Sequence, residues 1–159
     1  MTDLLNAPPS PSSEVLRAST PRFKLFSARS IVLATFVGSP LAGGYLLWRN
    51  SSRLGNTSRA WNELAVTALG TLGMLLFAAT TDDSNALAKA FGHVSALIGV
   101  FIVAFYTGKT QTPAITAHTQ AGGELESGWK SFGVAVAGLI AMMFVVFLLV
   151  AATTPSYEL

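Results

Sequence analysis

Four long stretches of this 159-residue chain carry no charge, and that map constrains the fold more than any motif does. Nineteen uncharged residues separate Arg29 from Arg49, 18 separate Glu63 from Asp82, 19 separate Lys89 from Lys109, and 27 separate Lys130 from Glu158. At about 1.5 Å of helix rise per residue, ~20 apolar residues cross a ~30 Å hydrocarbon core. The apolar segments are Ile31–Trp48, Leu64–Thr80, Ala90–Tyr106 and Phe132–Ala152, all of roughly membrane length. Within the last, Leu139–Ala152 has no polar side chain at all.

Composition agrees with lipid as the solvent. Charged residues make up 11% of the chain against roughly 25% in a soluble domain. Hydrophobic residues make up 51%, more than a soluble domain of this size can bury. Lysine and arginine exceed aspartate and glutamate by only two, too few to imply nucleic-acid binding. There is no cysteine, which removes disulfides, thiolate metal sites and palmitoylation. A cleavable signal peptide is not expected, because the first apolar segment starts only at Ile31 and ends in Leu46-Leu47-Trp48-Arg49.

Three regions follow. Residues 1–21 are rich in Pro and Ser, and their composition predicts a disordered tail. Residues 22–29 interleave bases with apolar side chains, as in Arg22-Phe23-Lys24-Leu25-Phe26, and read either as a basic segment at headgroup level or as a plain juxtamembrane linker. Residues 30–157 form the membrane domain. Its longest connection, Thr107–Lys130, is polar and contains glycine, and reads as a flexible loop.

The first apolar segment is interrupted by Gly38-Ser39-Pro40. Proline removes a backbone donor and clashes with the preceding turn, so the segment is either a Pro-kinked span or a re-entrant hairpin. Loop charge bears on the choice. If the segment spans, five bases lie on each side of the membrane. If it is re-entrant, Arg17, Arg22, Lys24, Arg29, Arg49, Arg53, Arg59, Lys109 and Lys130 share one side and Lys89 stands alone on the other. By the positive-inside rule that nine-to-one asymmetry would make the amino terminus cytoplasmic. Against it stands the cost of non-helical backbone at membrane depth.

Phe26–Gly55, FSARSIVLATFVGSPLAGGYLLWRNSSRLG, resembles the opening of a widespread set of small bacterial membrane proteins. Their pattern is an apolar run, G-[SG]-P-L-A-G, further apolar residues, then R-N and L-G. The likeness covers 30 residues, with Ala28 in place of a proline and Ser51 where an aromatic is common. It implies a multi-pass protein of the bacterial inner (plasma) membrane and brings no catalytic residues with it.

Candidate chemistry is sparse. His93 is the only ionisable group inside an uncharged segment, and with Asp82 and Asp83 it could form a polar mouth for a proton or a divalent cation. The plainer alternative is a helix cap at Asp83 or Ser84 with His93 at the interface. His118, Glu124 and Glu126 share the long loop without metal-ligand spacing, and read as solvated. No phosphate-binding or nucleophile motif is present, so no cofactor and no enzymatic reaction are expected.

Small residues do recur at helical spacing: Gly70 and Gly73 on the second segment, Gly92, Ser95 and Gly99 on the third, Gly133, Ala137 and Ala141 on the last. Such stripes let helix backbones approach closely in lipid. The expectation is thus an all-α polytopic membrane protein with three spanning helices plus the broken first segment. It would work without catalysis, through helix packing and contact with a second copy or another membrane protein, as an accessory, immunity or membrane-stress factor. The alternative is a small oligomeric channel or transporter using the Gly38–Gly44 break, with its Gly38-Ser39-Pro40 apex, and His93.

Overall fold

In the computed structural model, residues 21–80 and 86–153 are described, apart from the side chains of residues 79, 86–93, 95–96 and 152–153. The fold is all-helical, and the one non-helical pairing among the described residues is an isolated parallel bridge between Leu25 and Leu125. The helices are α1 (Ala28–Gly38), α2 (Pro40–Arg53), α3 (Thr57–Thr80), α4 (Ala86–Tyr106), α5 (Thr112–Gln120) and α6 (Gly128–Thr153). A π-helical turn, Thr107–Gln111, joins α4 to α5. Among the described residues, two stretches of helix are long and apolar enough to cross a membrane: Thr57–Ala78 within α3, with mean hydropathy 1.3, and Gly128–Ala151 within α6, with 3.0.

Local chemistry sets the helix ends. Ser27 caps α1 by accepting from the Ser30 N–H at 3.1 Å. Ser39 closes α1, donating its own N–H to the Thr35 carbonyl at 3.2 Å, and opens α2, whose first residue is Pro40. Proline suits that first position because its missing N–H would have no helical partner there. Ser39 adopts φ 133° and ψ 164°, a region almost reserved for glycine and costing about 1–3 kcal/mol. Gly55, at φ 79°, ends α2 in the left-handed conformation common after helices.

The chain reverses at Ser39. Phe26, before α1, donates its N–H to Asn50 Oδ1 at 2.8 Å, and Asn50 Nδ2 donates to the Phe26 carbonyl at 2.9 Å. Asn50 is fully buried. A kinked but continuous helix would hold these residues ~36 Å apart. The Pro-kinked alternative is therefore not what forms. The Gly-Ser-Pro break makes a two-helix hairpin, and α1, at ~16 Å, reaches about half a bilayer core.

Glycines allow the hairpin to be wrapped closely. A Cβ on Gly43 would collide with the Thr35 hydroxyl, one on Gly44 with Thr67 of α3, and one on Gly38 with the Ala135 backbone of α6. On the facing side, a Cβ on Gly138 would come within 2.8 Å of the Ala42 Cβ. The α2–α3, α1–α6 and α1–α2 interfaces are the most extensive in the molecule, while α3 and α4 touch little. The hairpin is thus the hub, and the long helices pack on it more than on each other. Ile31, Ala34, Leu46, Leu47, Val103 and Ala135 form its buried core together with Phe26.

One expectation needs correction. The Thr107–Lys130 connection is not a flexible loop, since residues 107–120 continue helically from α4. Pro113 would clash with the Lys109 carbonyl in an uninterrupted α-helix. The wider π turn ahead of it accommodates the ring, with the Thr112 N–H bonded back to Thr107. The segment before α1 is packed against the same connection. Leu25 is fully buried and exchanges backbone hydrogen bonds with the 124–126 segment, accepting from the Glu126 N–H at 2.8 Å and donating to the Glu124 carbonyl at 3.2 Å.

Candidate functional site

The polar side chains with structure around them gather at the end of the molecule where the hairpin closes. Glu63, on the second turn of α3, has a side chain only 2% exposed. Four donors from four elements reach its carboxylate. Ser51 Oγ of α2 donates to Oε2 at 2.6 Å, and Oε1 accepts from Tyr106 OH of α4 at 2.9 Å. Oε1 also accepts from Arg59 Nε, one turn earlier on α3, at 3.0 Å and from Gln111 Nε2 of the π turn at 3.1 Å. Gln111 donates as well to Ser51 Oγ at 2.9 Å.

A buried carboxylate is tolerated only when paired and hydrogen-bonded, and this one is both. The Arg59 guanidinium also lies 5.7 Å from the centroid of the Tyr106 ring. The π turn earns its place here, because Thr107 and Gln111 are both 1% exposed and face inward. Arg59 Nη2, Gln111 Oε1 and Thr107 Oγ1 are buried without a partner.

A second cluster clasps the amino-terminal strand to the segment before α6. Glu126, its side chain 6% exposed, accepts from Lys130 Nζ at 2.7 Å and from Arg53 Nη1 at 3.0 Å. Arg53 also donates to the Lys24 carbonyl and stands over the Phe26 ring. Lys130 first and Arg53 second hold the Glu126 carboxyl below its ordinary value of 4.5, against the opposing effect of burial. Lys24 and Glu124 pair at 2.5 Å, each shifting the other away from neutrality, but both are largely exposed and the pair contributes little. His118 is buried, stacked on Phe23 at 4.8 Å, with Nε2 3.2 Å from the Glu124 carbonyl. The loop residues His118 and Glu126 are therefore parts of a packed joint, not solvated groups.

The residues singled out in the sequence lie elsewhere. Asp82 and Asp83 fall outside the described residues. Gly92, His93 and Ser95 lie on α4, with their side chains outside them too. At the Gly38-Ser39-Pro40 apex, Gly38 packs against the Ala135 backbone of α6. Gly99 makes ordinary contact with Pro40 and Met74, whereas a Cβ on Gly70, Gly73 or Gly133 would meet nothing within 4 Å. Ala137 and Ala141 are exposed. Close approach inside the chain instead uses Gly38, Gly43, Gly44 and Gly138, which the stripe reading did not select.

Glu63, Asn50 and Gln111 were missed as well. The one local signal for Glu63 was Arg59 four residues before it, a spacing that puts the two on one helix face. Its other partners are 12, 43 and 48 residues away in sequence. Among the described residues no cluster of three metal-ligating side chains occurs. The chain matches no family model, no curated protein and no solved structure, so what it does must be read from this geometry.

Proposed function

We propose that the protein is a multi-pass integral membrane protein of the bacterial inner membrane, with three spanning helices and one re-entrant hairpin. It acts without catalysis, by lateral contact with a second copy or with another membrane protein. The observation that carries the reading is the pairing of the two ends of the hairpin through Phe26 and Asn50, which puts both on one side. The start of α3 (Glu63), the end of α4 (Tyr106) and the start of α6 (Lys130) belong to the same polar end. From there α3 leads away, α4 returns and α6 leads away, as three antiparallel spans would. The asymmetry of nine bases to one supports this arrangement and, by the positive-inside rule, a cytoplasmic amino terminus.

Partner contact is supported by what the long helices leave unpacked. On α6, Phe144 is 61% exposed and Phe147 66%, and the Gly133, Ala137 and Ala141 stripe faces outward. Outward small residues permit a second helix to approach closely. The chain has no cysteine, so single introduced thiols report alone. Cysteines at Ser12, Ser52 and Thr119 should be protected in intact cells from an impermeant maleimide, and one at Ser156 should be labelled. Labelling on opposite sides at Ser12 and Ser52 would end the re-entrant reading. Cysteine at Ala137 should crosslink in the membrane to its own copy or to one defined membrane protein, and Gly133→Leu should abolish the adduct. A chain that forms no adduct at Ala137 or Ala141 would end the partner-contact reading.

A further inference from the structure

Two apolar troughs flank α4 and converge on its polar end. The first lies between α3 and α4, where adjoining cavities of about 160 and 370 Å³ share Val66, Thr67, Ile102 and Val103 in their walls. The second, about 420 Å³, follows the outer face of α4 from Ile98 past Phe101 and Phe105 to Lys109. Ile102 and Tyr106 line both and form the ridge between them.

Each trough is amphipathic end to end. Asn62, Glu63 and Tyr106 line the mouth of the first, and Pro40, Met74 and Gly99 its far end. Thr67 and Thr71 also line it, but their hydroxyls donate to Glu63 and Thr67 carbonyls on their own helix at 2.8 and 2.7 Å. From Glu63 to Met74 is ~16 Å along the helix, the depth of one lipid leaflet. A transmembrane partner helix needs the whole core; an acyl chain needs half.

The mouth also has a sign. Glu63 is already held by four donors, whereas Lys109 is exposed and no described carboxylate lies within 4 Å of its ammonium. The ammonium rests 5.6 Å from the Phe105 ring centroid, over the second trough. We propose that the two troughs hold one two-chain anionic phospholipid astride α4, with its phosphate on Lys109. One acyl chain lies between α3 and α4 and the other along Ile98, Phe101 and Phe105. The inference rests on the membrane reading above.

The test is native mass spectrometry of the full chain, purified in detergent and delipidated, titrated with phosphatidylglycerol and with phosphatidylcholine of the same chains. Phosphatidylglycerol should bind about fivefold more tightly, the worth of one base near a headgroup. Lys109→Gln should erase that preference, Lys109→Arg should keep it, and Gly70→Leu, which fills the first trough, should weaken both lipids. Equal binding of the two lipids, a preference that survives Lys109→Gln, or binding unchanged by Gly70→Leu would each overturn the proposal. Alkaline carbonate washing separates the two claims. A chain washed off membranes overturns the membrane reading, whereas one that stays but binds both lipids equally overturns only this inference.

Discussion

The end where Phe26, Asn50, Glu63 and Glu126 meet is built unlike the outward apolar faces of α3, α4 and α6. At the first, side chains from several elements hold one another through hydrogen bonds, those to Glu63 and Glu126 charge-assisted, and Asn50, Gln111 and Leu25 are sealed from solvent. At the second, Leu69, Phe101, Phe105 and Phe147 are each about two-thirds exposed or more. In water such surface would aggregate; in lipid it costs nothing, because lipid tails are as apolar as the side chains. The difference teaches that structural specificity here comes from polar contacts at one end, while the apolar lengths provide span and surface.

Four substitutions or conditions break or sharpen that contrast. Glu63→Ala should be the most damaging, costing about 3–5 kcal/mol in detergent-solubilised unfolding because it takes the acceptor from the buried Ser51 and Gln111 donors and the partner from Arg59, itself a third exposed. Glu63→Gln should cost less, since its carbonyl oxygen still accepts from Ser51 or Tyr106. Next, Leu46→Ala should cost about 2–5 kcal/mol, as Leu46 is fully buried, whereas Phe101→Ala, 73% exposed, should change stability by less than about 0.5 kcal/mol. A similar loss at both positions would erase the distinction between the hub and the outward-facing helices.

The third is a pH dependence. The folded state holds Glu126 below its ordinary value of 4.5, so its contribution is fully present above 4.5 and fades as pH falls through the lower folded value. Acid unfolding curves should therefore drop below pH 4.5, and Glu126→Gln should flatten that limb. Smallest is Ser39→Gly. It relieves the φ 133° strain but gives up a 3.4 Å cap to the Ala42 N–H and adds freedom to the unfolded chain. The net gain should be about 1 kcal/mol, while Ser39→Ala, which keeps the strain and loses the cap, should lose about as much.

The break at Gly38-Ser39-Pro40 was legible because it is local chemistry: a proline in an apolar run must stop a helix or bend it. The long helices were legible as uncharged stretches, although each begins before its apolar segment, α3 and α6 with the polar turns that join the closed end. Helix over 107–120 was hidden by Pro113 and by polar residues, which read as loop until a π turn and a buried face are known. The packing glycines were hidden for another reason. Helical spacing finds stripes that could pack, but which stripe packs depends on the hairpin being the hub. Glu63 looked like the last charge before an apolar run, and only the fold brings Tyr106 and Gln111 to it.

The clasp at Leu25 has a consequence for how the molecule is made. Asn50 follows Phe26 by 24 residues, so the hairpin can close soon after its second arm leaves the ribosome. Glu124, the partner of Leu25, is synthesised 99 residues after it, a delay of about 5–20 s at ordinary translation rates. Throughout that interval the backbone of Leu25 has no partner. A chain that stalls or is cut before residue 124 has both arms of the hairpin but neither backbone partner of Leu25.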